Sequence, residues 1–223
     1  MSEAAAIEHR LAVSKVAGMG DRELATVLRA ISGLDADGTR DALMDFVPAI
    51  AERHGNMAGA LGADYYDEIR DRAEVPGSYR AQPAPLPGSA RYEALVRWGV
   101  DPLYSPIPDR ELATAKLSGG LHRIVADVAR QTVADAAVRD PQAEGWRRVT
   151  RTDGCRFCRM LADRGAVYTD ATVRFASHDN CNCTAAPAFK PGRTVSVVQY
   201  SASKRKVSAA DRARVRDYLR ENY

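Results

Sequence analysis

A chain of 223 residues with 45% apolar and 27% charged side chains has room for one large domain or two small ones of ordinary soluble composition. The low aromatic fraction (7%) and the abundance of Ala and Arg point to a mostly helical fold, and no apolar run approaches the ~18 residues that cross a bilayer. The net charge of +3 hides a gradient, with 8 basic and 14 acidic groups in residues 1–75, 15 and 12 in 76–189, and 9 and 3 in 190–223.

Residues 1–75 read as a helical head domain. Apolar spacings of three and four run through Leu11, Val13 and Val16, then through Leu24, Val27, Leu28 and Ile31. Asp21 is expected to cap the second of these helices and Gly33 to close it. A third pattern passes through Ala42, Leu43 and Phe46 to Pro48, which is expected in the first turn of the next helix. That helix carries Ile50, Met57, Leu61, Tyr65, Tyr66 and Ile69. Gly55, Gly59 and Gly62 each disfavour a helix interior by about 1 kcal/mol relative to Ala, so they mark close helix packing or a break. His9 and His54 stand alone and are expected to face solvent.

Residues 76–108 form a proline-rich linker, with an extended stretch at 76–90, a short helix near Tyr92–Trp98 and a second proline-punctuated loop at 101–108. Asp109 is expected to cap a long helical segment over 109–144 that reaches about Arg139 and is interrupted near Ser118-Gly119-Gly120. Ile124, Val125, Val128, Val133 and Ala137 lie on its core face, and His122 reads as a surface or hinge residue.

From Gly145 the texture changes. Trp146-Arg147-Arg148-Val149-Thr150-Arg151 alternates as a strand, and Thr152-Asp153-Gly154 turns it into a Cys-x-x-Cys. Ala166-Val167-Tyr168 reads as a second short strand. A module over 145–193 closes at Pro187 and Pro191, and 194–223 supplies a strand at 194–200 and a basic final helix capped by Ser208. The expected class is α+β: helical N-terminal and middle regions, a small β-rich metal-knuckle module and a C-terminal helix.

All four cysteines fall inside the 29 residues from Cys155 to Cys183, in the order Cys155-x2-Cys158, then His178-x2-Cys181-x-Cys183. A Cys-x-x-Cys knuckle followed by a second ligand pair is the usual supply of tetrahedral thiolate and imidazole ligands for zinc. Residues 1–10 carry acid ahead of any apolar stretch, so no secretory signal is read there, and in a cytoplasm clustered thiols favour metal over disulfides. Five donors compete for four places. Four cysteines complete one set, with His178 left over as a hydrogen-bonding neighbour, and this is the preferred one. The other is Cys155, Cys158, His178 and one of Cys181 or Cys183. Either set closes the coordination sphere with protein ligands, the pattern of a structural Zn2+ whose binding energy is folding energy.

Catalytic readings fare poorly. A zinc deaminase needs His-x-Glu ahead of its cysteines, an HNH-type nuclease needs a second downstream histidine or equivalent, and a thioredoxin-like motif needs a βαβ setting. None is present, and the chain is expected not to be an enzyme.

The run GWRRVTRTDGCRFCRMLADRGAVY followed by SHDNCNCTAAPAF resembles the C-terminal module of the Mu F-like minor head proteins of tailed bacteriophages. Arg130-Gln131-Thr132 is similar to the Arg-x-Thr that precedes that module in the family. DFVPAIAERHGNMAGALGADYYDEIRDRAEVPGSY, ALVRWGVDPL and DRARVRDYLREN resemble the actinobacteriophage branch, so the likeness spans most of residues 40–223. The closing Cys-Asn-Cys departs from the Cys-Arg-Cys of many relatives and removes a positive charge beside the metal. The resemblance implies a structural virion component in several copies. It would associate with portal or major capsid protein at the portal vertex or capsid interior, assemble in the host cytoplasm and, in some relatives, contact packaged double-stranded DNA. Lys204, Arg205, Lys206, Arg212, Arg214, Arg216 and Arg220 are the candidate DNA contacts. The competing expectation is a tail helix that docks on protein through Val215, Tyr218 and Leu219. The alternatives to a head protein are a stand-alone nucleic-acid-binding zinc protein and an HNH-like nuclease.

Overall fold

The computed structural model describes residues 3–151, 154–165, 168, 175, 177–179, 181, 183–189 and 208–223. Among these the chain is α+β and mostly helical, as its composition predicts, with one two-stranded sheet. The expected strand at 194–200 lies outside the described residues, as do Ala166 and Val167.

Helix α1 (Glu3–Ala30) is continuous where two helices were expected. Its buried stripe, Val13, Val16, Ala17 and Leu24, keeps helical spacing on both sides of Asp21 and carries the helix through. Asp21 is therefore no cap; its Oδ2 meets His122 Nδ1 at 3.2 Å. Helix α2 (Ala36–Arg72) starts twelve residues before Pro48, and its N-cap is Asp35, whose Oδ1 accepts the Gly38 N–H at 2.8 Å. Pro48 sits inside the helix and removes the backbone bond to the Met44 carbonyl. Burial of Leu43, Val47, Ile50 and Ala51 around it offsets that loss.

Helix α3 (Ser89–Val100) leads through a single 3-10 turn (Asp101–Tyr104) to α4 (Arg110–Arg139). Asp109 caps α4 as its position suggests, accepting the Leu112 N–H at 2.8 Å. The expected interruption at Ser118-Gly119-Gly120 is absent. A Cβ added at Gly120 would lie 2.3 Å from Leu95 Cδ1, so this glycine is where α3 presses on α4, not where α4 breaks. Gly62 does the same between α2 and α4, where a Cβ would come within 2.8 Å of the Ala129 carbonyl oxygen.

The lone histidines are interior. His9 is 5% exposed and stacks on Tyr65 with ring centroids 4.2 Å apart. His54 is equally buried, its Nε2 2.9 Å from Glu23 Oε2. His122 is buried against Asp21 rather than exposed at a hinge. Each spans two helices, a role that helical periodicity does not distinguish from exposure.

The proline-rich stretch at 76–88 is extended and lies on the helices. Ala81 N–H donates to Asp67 Oδ1 and Ala84 N–H to Thr132 Oγ1, both at 2.9 Å. One core joins Val16, Leu24, Val47, Tyr92, Val96, Leu117, Leu121 and Val125 among α1 to α4. A second joins Tyr65, Tyr66, Ile69 and Val133 to Trp146, Cys158, Tyr168, Phe175, Cys181 and Cys183. The cysteine segment is thus packed onto the far ends of α2 and α4.

Strand β1 (Gly145–Val149) pairs antiparallel with β2 (Thr184–Ala188), Gly145 opposite Ala188 and Val149 opposite Thr184. Pro187, expected to end the module, lies within β2 opposite Trp146. On its other side Trp146 bridges to Tyr168. Because Val149 and Thr184 are partners, the chain leaves β1 and enters β2 at the same end of the ribbon. That geometry brings Cys155 and Cys158, which follow β1, to Cys181 and Cys183, which precede β2.

Candidate metal centre

Cys155 is the N-cap of α5 (Arg156–Ala162), and its Sγ accepts the Cys158 N–H at 3.3 Å. A Cys-x-x-Cys at a helix start therefore places both sulfurs on one side, with the Cys155 sulfur against a backbone N–H that favours its thiolate. Cys158 Sγ stands 3.4 Å from Cys181 Sγ and 3.6 Å from Cys183 Sγ. Two thiolates on one tetrahedral ion at about 2.3 Å would be about 3.8 Å apart. Cys181 and Cys183 Sγ are closer, at 2.8 Å, and would have to move apart by about 1 Å to share one ion.

The donors fall into two triads that share Cys158: Cys155, Cys158 and His178, and Cys158, Cys181 and Cys183. Within each, the ligating atoms lie within 4.8 Å of one another. His178 Nε2 is 2.9 Å from Cys155 Sγ and 4.0 Å from Cys158 Sγ. Its Nδ1 is 3.0 Å from the Asp179 carbonyl oxygen, the contact that orients a ligating imidazole with Nε2 toward the metal. All five residues lie close enough to bind a metal ion.

The electrostatics fit a cation. Hydrogen bonding to Cys181 and Cys183, with burial, pushes the Cys158 thiol far up, while hydrogen bonding to Cys158 and Cys183 pulls Cys181 far down. Three sulfurs this close cannot all ionise unaided, so they divide the protons between them. Burial raises Cys155, but its contacts with His178 and the Cys158 amide outweigh that and leave it below the ordinary thiol value. His178 is raised, first by its Asp179 carbonyl contact.

Two arginines that the cysteine pattern does not reveal frame the cluster. Arg148, 2% exposed, has its Nη1 2.9 Å from Cys183 Sγ and its guanidinium 3.8 Å above the Phe175 ring. Strand alternation puts Trp146 and Arg148 on one face, and that was the available signal. Arg130, also 2% exposed, donates through Nε to the Cys183 carbonyl at 2.8 Å and through Nη2 to the Cys181 carbonyl. Its Nη1 pairs with Asp127 Oδ1 at 2.8 Å, and Asp127 also accepts from Ser177 Oγ at 2.7 Å. The Arg-x-Thr of α4 is therefore a double tie: Arg130 holds the cysteine segment and Thr132 holds the strap at Ala84.

Of the basic residues singled out for DNA, Lys204, Arg205 and Lys206 lie outside the described residues. Arg212, Arg214, Arg216 and Arg220 are exposed on α6 (Ala209–Asn222), with Arg220 paired to Asp217. On the same helix Val215 and Tyr218 are 58% and 54% exposed. The described part of α6 thus offers both basic and apolar surface. Among the described residues no helix is long and apolar enough to cross a membrane.

The family described as VG15 protein matches residues 1–210, a span that contains all five donors and both framing arginines and stops short of Arg212. No curated protein and no solved structure matches the chain.

Proposed function

This chain belongs to the VG15 protein family, a family of viral proteins, and on that footing we propose that it is a minor head protein of a tailed bacteriophage. In this reading it is a structural virion component that associates with portal or inner capsid in several copies and supports head assembly. The observation that carries the reading is the family match running through the Cys155 to Cys183 cluster, the segment that also resembles the cysteine module of Mu F-like head proteins.

The metal proposed is zinc. Thiolate and imidazole donors suit it, and four of the five residues in the two triads would close its coordination sphere without leaving a place for substrate, as a structural site does. The zinc would supply folding energy to a ribbon of two five-residue strands. The role is structural rather than catalytic. Arg148 would face the metal-bound sulfur of Cys183 and balance part of the negative charge that three or four thiolates bring.

The test is the particle itself. Immunodetection of this chain in purified virions of its phage, or its capture with the portal from infected cells, is the expected result. A chain that stays in the lysate and bypasses particles dismisses the reading and favours a stand-alone nucleic-acid-binding protein. The exposed arginines of α6 motivate a DNA arm. Filter binding should show affinity that falls steeply with salt and drops on charge reversal of Arg212, Arg214 and Arg216 together. Salt-insensitive or unchanged binding moves α6 to the protein-docking role that Val215 and Tyr218 would serve.

A further inference from the structure

Five donors face a metal that takes four. Three are fixed and interior: Cys158, Cys181 and Cys183 are 2–3% exposed and within 3.6 Å of one another. The other two, Cys155 and His178, are exposed and touch each other. We propose that Cys155 and His178 are alternative ligands for one coordination position, the solvent-facing corner of a site whose other three positions Cys158, Cys181 and Cys183 hold. The proposal rests on the metal reading above and answers how it disposes of the extra donor.

Both alternatives are prepared as ligands. The Cys155 sulfur already accepts the Cys158 amide, the bond that holds a knuckle thiolate toward its metal. The His178 ring is held at Nδ1 by the Asp179 carbonyl, and Asp179 is itself anchored to Arg123 Nη1 at 3.1 Å. Both face Cys158, the sulfur common to the two triads. Tetrahedral zinc has no fifth place, so when one binds the other stays beside it as a hydrogen-bonding neighbour. The three buried sulfurs are fastened to the fold through Arg130, Arg148 and the β-ribbon. Among the described residues the corner's two donors come from the start of the short α5 and from a loop residue beside Asp179, and both are exposed.

The full-length chain, reduced and stripped of metal, is titrated with Zn2+ and with Co2+ as parent, Cys155→Ser, His178→Ala, the double variant and Cys158→Ser. The parent and both single variants should bind one metal per chain, each single variant within about tenfold of the parent. The double variant and Cys158→Ser should fall by about 100-fold or more. The Co2+ thiolate charge-transfer intensity should be lower in Cys155→Ser than in His178→Ala by one sulfur's share. Helical circular dichroism confirms that each variant is folded. If one single variant falls as far as Cys158→Ser while the other matches the parent, the position has one fixed ligand and the proposal is wrong. If the double variant binds like the parent, neither residue is a ligand and it is equally wrong. A parent that binds neither metal overturns the metal reading itself.

Discussion

Arg130 Nε donates to the Cys183 carbonyl at 2.8 Å and ties the last cysteine to the middle of α4. The same guanidinium reaches the Cys181 carbonyl and Asp127, so one buried fork fixes the cysteine segment in position and in charge. Arg130→Met should cost about 3 kcal/mol, because it leaves the Cys181 and Cys183 carbonyls without their charged donor and takes one of the cations from Asp127, which keeps Arg91 and Ser177. Metal affinity should fall about 10–100-fold, the usual effect of losing an outer-shell tie. Arg130→Lys keeps the charge but not the fork and should recover little. Denaturant unfolding and a Zn2+ competition titration check both figures.

Metal removal should not stay local. Trp146, Cys158, Tyr168, Phe175, Cys181 and Cys183 belong to one apolar core with Tyr65, Tyr66, Ile69 and Val133 of α2 and α4. A chelator should therefore raise amide exchange at 145–149 and 184–188 and also at the ends of α2 and α4 near Ile69 and Ala137. The core around Leu24, Val47 and Leu121 should stay protected. Exchange mass spectrometry with and without chelator reads this directly. Exchange confined to 145–189 would show that the module folds separately from the helices.

Gly62→Ala sets two effects against each other. Alanine favours a helix interior by about 1 kcal/mol over glycine. Its Cβ, however, would meet the Ala129 carbonyl oxygen at 2.8 Å and Thr132 Cβ at 3.0 Å, and the first of these is backbone. Separating α2 from α4 costs about 1–3 kcal/mol, so packing should win. The expected outcome is a Tm several degrees lower. An unchanged or higher Tm would mean that the helices are free to separate there.

Much of this architecture was legible in the residues. Asp109 announces the start of α4, the alternation from Trp146 announces β1, and the spacing of Cys155, Cys158, His178, Cys181 and Cys183 announces a metal-competent cluster. What stayed hidden depends on tertiary contact. Pro48 and Gly120 carry local signals against helix, yet buried side chains from neighbouring helices hold them in one. His9, His54 and His122 look alike in sequence and acquire roles only when Tyr65, Glu23 and Asp21 arrive from other elements. Arg148 and Arg130 were legible as a strand residue and a motif residue; only the ribbon's register brings Arg148 to the Cys183 sulfur and Arg130 of α4 to the Cys181 and Cys183 carbonyls.

His9 should make the fold acid-sensitive. Burial holds its pKa down at about 4, against 6.5 for a free imidazole, and its ring lies flat on Tyr65 with an interplanar angle of 5°. Between those two values the unfolded chain binds a proton that the folded chain refuses, so stability rises with pH through this window. It is complete above pH 6.5, declines as pH falls toward 4 and levels off below. The full loss is about 3 kcal/mol at 1.36 kcal/mol per pKa unit. A metal held by the cysteine cluster would also be lost in acid, which would mask the effect in the parent alone. His9→Phe separates the two: it keeps an aromatic ring against Tyr65, removes the titrating nitrogen and leaves the metal site intact. In urea unfolding measured at intervals from pH 8 to pH 4, the parent's midpoint should fall relative to the variant's as the pH drops. Parallel curves across the whole range would mean that His9 takes up its proton without leaving its place on Tyr65.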